Sequence, residues 1–369
     1  MNARLSLPLA LFVLGPAVAP TPPGFSTVSI MVPGSAQRLA AGDLDGDGKV
    51  DLLVLSTQGS SIPLTVLHQG AGHSFMPQWM GNLGSSSPAA ATDLDLSDLD
   101  HDGDLDAIAA IPFGTSVVRM NAGNATFDLA KPLTSGGRVQ HALAQLNLDS
   151  APDLVAYELS ATGLVDADSG VGDGNFVHQQ FAPVTLTNVA TRAELGDVTG
   201  DGLKDLVRVS SQGLEITPGV PGPFQSFGAD VHVVGDPAYD FALGDLDADG
   251  RLDAITTVPA SGALEVFRGH PGGLAAGTPF PGGVSPGPLA LADLDADGFL
   301  DAAYGSLAQA TVTVNAGAAG GIFFDLARYR GASNPTDLTA SDLDGDGDQD
   351  LAETSADGRV VILFNKLVP

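Results

Sequence analysis

One nine-residue pattern, Asp-x-Asp-x-Asp-Gly-x-x-Asp, recurs along this chain and limits the folds open to it. It starts at Asp43, Asp98, Asp197, Asp245, Asp293 and Asp342, with a degenerate copy at Gln145. The start points lie 55, 47, 52, 48, 48 and 49 residues apart. A period of roughly 40–50 residues marks units too small to bury a hydrophobic face alone, which must stack or close into a ring.

The flanks of each copy predict the unit. A short alternating strand precedes the loop, as in Leu39 to Gly42, Phe241 to Gly244 and Leu289 to Ala292. A second strand follows it, as in Leu52 to Leu55 and Leu206 to Val209, and after a turn comes a third, as in Leu64 to Leu67 and Leu264 to Phe267. A Gly-rich turn ending in an aromatic, such as Gly170 to Phe176, leads to a fourth. Period-2 alternation and four strands per unit describe a propeller blade. The seventh unit reaches Pro369 without a fourth strand, while Phe25 to Val32 fits the fourth-strand pattern and precedes the first loop. Pairing the two removes two exposed sheet edges. The fold class predicted is all-β: a seven-bladed β-propeller over residues 25–369, its last blade closed by the N-terminal strand.

Residues 1–19 read as a secretory signal: Arg4 supplies the positive end, Leu5 to Leu14 the apolar run and Ala17-Val18-Ala19 the small-residue cleavage region. Residues 20–24 read as a Pro-rich spacer. No other stretch approaches the roughly 18 apolar residues of a spanning helix. The expectation is a secreted, periplasmic or cell-surface monomer. Its formal net charge of −29 argues against nucleic acid or an anionic membrane as partner. Removing the 25 motif aspartates leaves only −4, so the acidity is concentrated in one kind of site. Absence of Cys excludes disulfides and thiolate metal sites.

Four carboxylates in a tight loop repel one another unless a cation sits among them. Calcium takes six to eight hard oxygen ligands, and Gly at position 6 permits the sharp turn. Apolar residues at position 2 (Leu44, Leu99, Leu246, Leu294, Leu343) are expected to anchor the loops in the core. An EF-hand shares the opening of the motif but needs Glu at position 12, where the first loop has Val54 in a strand. The remaining alternative is that Asp and Gly only form turns.

With these loops the chain resembles the FG-GAP/VCBS-type repeat family, the calcium-loop propellers that include the integrin α-subunit head. The resemblance implies calcium held by carboxylates at positions 1, 3, 5 and 9 and a carbonyl at position 7. It selects Asp43, Asp45, Asp47 and Asp51; Asp98, Asp100, Asp102 and Asp106; and Asp197, Thr199, Asp201 and Asp205. It further selects Asp245, Asp247, Asp249 and Asp253; Asp293, Asp295, Asp297 and Asp301; and Asp342, Asp344, Asp346 and Asp350. The third loop departs most, with Gln145, Asn147, Asp149 and Asp153, and Ser150 in place of Gly. About six calcium sites are expected, with a seventh in question.

Five residues before each loop stand Arg38, Asp93, Gln140, Arg192, Asp240, Pro288 and Asp337. With the first strand innermost, this set rims the central channel, either as a solvated ring of ion pairs or as a polar ligand site. One residue before each loop the side chain is small, which lets blades approach closely. The seven His fall in no metal-binding or nucleophile–base spacing, and His141 reads as a core residue. The leading expectation is a non-enzymatic binding or adhesion module for an extracellular protein or glycan. A polysaccharide lyase-like enzyme and an architectural surface repeat are the alternatives. A cluster of Arg, Tyr and His at the channel mouth would favour the lyase.

Overall fold

The computed structural model describes residues 24–85, 93–111, 116–128, 131–133, 140–157, 164–185, 190–210, 212–233 and 235–366. The signal and most of the spacer read from the sequence lie outside these residues. The described residues form seven four-stranded antiparallel sheets and contain no helix long and apolar enough to cross a membrane. Blade one runs Ser35–Gly42, Asp51–Thr57, Ser61–Gln69 and Phe75–Ser85. The first strands of blades two to seven are Asp93–Ser97, Gln140–Ala144, Ala190–Gly196, Asp240–Gly244, Pro286–Ala292 and Pro335–Ser341. Each first strand contacts the first strand of the next blade, and that of blade seven contacts that of blade one. The first strands are therefore innermost and the ring is closed.

Closure takes the form expected from the sequence. Ser26–Met31 pairs antiparallel with Arg359–Phe364 in the register Ser26↔Phe364 to Met31↔Arg359. The last blade is thus built from both ends of the propeller, and Arg359–Phe364 is covered on the side it would otherwise expose.

The core lies between blades. Leu53, Leu55, Leu64 and Val66 of blade one pack with Leu94, Ala107, Ala109 and Val117 of blade two. Blades four and five share a layer containing Val207, Ile216, Phe241 and Phe267. Both faces of each sheet are covered, so the second strands are buried runs rather than alternating ones, and Asp51–Leu55 and Asp205–Val209 are buried throughout. The small residue before each loop serves the same packing. A Cβ on Gly42 would lie 2.5 Å from Leu105 of blade two, and one on Gly244 would lie 2.7 Å from Leu300 of blade six.

Candidate metal loops and a polar channel

Each loop joins the first strand of its blade to the second, and two of its residues hold it down. Position 2 is buried in all seven: Leu44, Leu99, Leu146, Val198, Leu246, Leu294 and Leu343. Position 9 is a buried aspartate in all seven, and its two oxygens follow one scheme. One accepts the N–H of position 2; the other accepts an N–H at the end of the third strand. For Asp301 the donors are Leu294 and Gly317, both at 2.8 Å, and for Asp350 they are Leu343 at 2.8 Å and Asn365 at 2.6 Å. Asp153 of the third loop keeps the scheme with Leu146 at 2.8 Å and Gly170 at 3.1 Å. Sequence reasoning took position 9 as a ligand; its tethering of loop to blade was missed. Burial pushes these carboxyls up, Asp106 to about 6 and Asp301 and Asp350 to about 7, with neighbouring loop aspartates adding to the shift.

Positions 1 to 6 form a basket. Asp43 accepts the N–H groups of Gly46 and Gly48 at 2.8 and 2.9 Å, and Asp342 those of Gly345 and Gly347 at 2.8 and 3.0 Å. Positions 4 and 6 take positive φ, which glycine adopts without strain. Position 4 is nevertheless His101, Ala248 or Ala296 in three loops, at φ 64, 61 and 57°. Three carboxylate oxygens come within 4.8 Å of one another in Asp43–Asp45–Asp47, Asp98–Asp100–Asp106, Asp245–Asp247–Asp253 and Asp293–Asp295–Asp297. Asp98 Oδ1 and Asp295 Oδ1 are buried without a hydrogen-bond partner. An all-oxygen anionic donor set with orphaned oxygens suits a hard cation such as calcium. The oxygens that bind backbone amides keep further lone pairs for an ion.

The third loop is filled differently. The Gln145 amide donates to the Asp149 carbonyl, and Asn147 Nδ2 donates to Asp153 Oδ1 at 3.3 Å and to Ser169 Oγ at 3.2 Å. Amide nitrogens stand where the other loops offer carboxylates. Two loops also receive a side chain of their own blade that spacing could not reveal. His68 Nδ1 lies 3.2 Å from Asp45 Oδ2 and 3.0 Å from Asp51 Oδ1, and Arg268 lies 3.1 Å from Asp253.

The loops sit at blade junctions. The Gly-rich turn between the third and fourth strands docks on the loop of the preceding blade. Ala125 N donates to Leu44 O at 2.8 Å, Gln225 N to Leu146 O at 2.7 Å and Gly272 N to Thr199 O at 2.9 Å. His73 likewise reaches back from blade one to Asp344 of blade seven, at 2.7 Å.

A cavity of about 350 Å3 occupies the channel, lined by Arg38, Asp93, Arg192 and Asp337 of the expected ring and by Asp95 and Glu194. The last two, three residues before their loops, were missed although they continue the same strand face. The ring aspartates are not merely solvated. Asp93, Asp240 and Asp337 accept the N–H groups of His141, Leu289 and Leu39 in the following blades at 3.0, 2.9 and 3.0 Å. Arg192 bridges Asp240 and Asp337, 3.2 Å from each. Burial pushes Glu194 up to about 7. Gln140 is buried and accepts the Tyr157 hydroxyl.

Arg38, Arg192 and Tyr239 do meet in a pocket of about 230 Å3 at the channel mouth. Burial pushes the Tyr239 phenol up, which opposes a phenolate base. His141 is buried with Nε2 2.6 Å from Ser116 Oγ, and burial holds its pKa down to about 3. It is buried as expected of a core histidine, and it also borders the channel cavity.

A family model described as FG-GAP-like repeat matches residues 43–109 and 245–304. No curated protein sequence matches the chain. Several solved structures share its fold at low identity. An Agrocybe aegerita lectin described as recognising non-reducing terminal N-acetylglucosamine is 17% identical, with TM-score 0.59 over 90% of this chain and 96% of that one. BBS1N in complex with ARL6DN gives 10% identity and TM-score 0.61 over 94% and 98%. The WD40 domain of Toxoplasma gondii coronin gives 14% and 0.60 over 95% and 89%. At these identities the likeness concerns the fold alone.

Proposed function

Starting from a seven-bladed β-propeller that carries FG-GAP-like repeats, we propose that the chain is a calcium-stabilised, non-enzymatic binding module working outside the cell, with a protein or glycan as partner. The observation that carries the calcium reading is the set of converging loop carboxylates with buried, unpartnered oxygens at Asp98 and Asp295. In each full loop the carboxylates of positions 1, 3, 5 and 9 would hold the ion; in the fourth, Thr199 stands at position 3. The ion would supply positive charge at a junction where one blade's turn rests on its neighbour's loop, so binding would clamp the ring. The third loop would take no ion, leaving about six sites.

The binding reading is favoured over the lyase alternative by the chemistry of the mouth. Arg192 is committed to Asp240 and Asp337, the Tyr239 phenol is harder to ionise than usual, and the His141 ring, although the residue borders the channel cavity, is buried against Ser116. The extracellular setting rests on the N-terminal signal pattern. The test has two parts: elemental analysis with melting in calcium and in chelator, then a glycan and surface-protein array run in both conditions. Fewer than three bound calcium ions with no chelator effect refutes the metal reading. Failure to retain any protein or glycan refutes the binding reading.

A further inference from the structure

Blades four and five depart from the common pattern at one place. The ladder between their third and fourth strands is interrupted, so that its loop end stands as a separate pair, Gly219–Val220 with Ser226–Phe227 and Gly269–His270 with Gly273–Leu274. In blades one, three and six the same hairpin is continuous with the four-stranded sheet. Beside the blade-five pair, on the loop face, lie two cavities of about 310 and 320 Å3, and His270 lines both. Each is at the lower end of the size range of small-ligand sites.

The two compartments differ in chemistry. One is walled by Ile216, Val231, Val233 and Leu274. The other is lined by Lys204 and Arg251, neither of which has a carboxylate partner among the described residues. In so acidic a chain, two uncommitted cations in one groove need a reason. Asp197 and Asp245 also border this compartment, but both turn their oxygens into their own loops. Asp197 accepts from Gly200 at 2.7 Å and Gly202 at 2.8 Å, and Asp245 from Asp249 at 3.0 Å and Gly250 at 2.9 Å.

We propose that this groove binds an organic anion: a carboxylate held by Lys204 and Arg251 on an apolar stem lying against Ile216 and Leu274. Inorganic phosphate or sulfate would use the cations and leave the apolar wall wet. A neutral sugar would find no Phe, Tyr or Trp lining either cavity to stack on. The proposal rests on the reading of the propeller as a binding module and names its ligand class, but it does not require calcium in the loops. A free acid and the C-terminus of a peptide share this chemistry.

The test is calorimetric titration of the full chain with 4-phenylbutyrate and with 4-phenylbutanamide, which differ in charge but not in stem. A leucine-rich peptide with a free C-terminus is compared with its amidated form, and all four are run with calcium and with chelator. A charge-assisted contact on two cations predicts at least about tenfold tighter binding of the acid than of the amide in at least one pair. Tighter binding by the peptide acid identifies a protein terminus as the source; tighter binding by the free acid identifies a small molecule. The double variant Lys204→Met with Arg251→Met, two exposed positions, abolishes the acid–amide difference at unchanged melting temperature. Equal affinity for acid and amide in both pairs, binding by neither acid, or an undiminished difference in the double variant overturns the proposal. Acid binding without a chelator effect on melting would instead sink the calcium reading alone.

Discussion

In the sixth loop, Asp293 accepts the amides of Asp297 and Gly298, Ala296 and Gly298 take positive φ, and Asp295 Oδ1 is buried without a partner. In the third loop, Gln145 and Asn147 donate amide protons into the same space, positions 4 and 6 do not take positive φ, and Leu148 at position 4 is fully exposed. What the two share is equally informative. Leu294 and Leu146 are buried, and Asp301 and Asp153 bind the same two backbone amides. The loop therefore has two separable parts. Positions 2 and 9 fasten the blade and are kept where no ion is expected; positions 1, 3, 4 and 6 shape the basket and are lost in the third loop, although Asp149 remains at position 5.

Removing calcium tests the basket and has the largest expected effect. At free calcium about tenfold above the dissociation constant each occupied loop adds about 1.4 kcal/mol, so six add on the order of 8 kcal/mol. Chelator should lower the melting temperature sharply, and elemental analysis should return about six ions. Full stability in chelator would erase the distinction between the two loops.

Replacing position 9 tests the part they share. Asp301→Ala and Asp153→Ala each strand two buried amides and should each cost about 3 kcal/mol. In chelator the two losses should match, as read by denaturant unfolding. A harmless Asp153→Ala would show that the shared tether carries no stability.

Exchanging basket residues is expected to move less energy but to change a count. Gln145→Asp with Asn147→Asp should raise bound calcium by one ion and Asp293→Asn should lower it by one, each shift being about 1.4 kcal/mol at the calcium level above. An unchanged count in both would mean that position 1 does not decide occupancy.

The smallest effect concerns the backbone. Ala296→Gly and Ala248→Gly release side chains from positive φ and should stabilise by up to about 1 kcal/mol. Leu148→Gly, at a position without positive φ, should instead destabilise by about 0.5–1 kcal/mol through the entropy of the unfolded chain. The same sign at 148 and 296 would mean that both loops share one backbone form.

The number of blades, the strand order and the closing strand were legible because they follow from one period and one unmatched strand. The buried position-2 residues and the small residues before the loops were also legible, since both repeat at fixed offsets. Contacts across the ring were not. His68 meets Asp45 and Asp51 because the third strand runs beside the second, with Leu67 opposite Leu52. Asp337 reaches Leu39 only because blade seven lies next to blade one, a contact spanning 298 residues of sequence. The interrupted ladders of blades four and five were not legible either, since the repeat carries the hairpin itself but not the break.

The pairing of Ser26 with Phe364 constrains the order in which the molecule can be completed. The segment Ser26–Met31 is made before any other strand of the propeller, yet its partner Arg359–Phe364 is made after all the rest. Six blades can assemble from strands already adjacent in sequence; the seventh must wait while its first-made strand stays unpaired, edge groups open. Loop-closure entropy grows only logarithmically with the intervening length, so the delay adds little to the equilibrium cost. Its weight falls on time instead: a nascent chain halted anywhere before residue 359 carries an orphan strand that only the missing residues can silence.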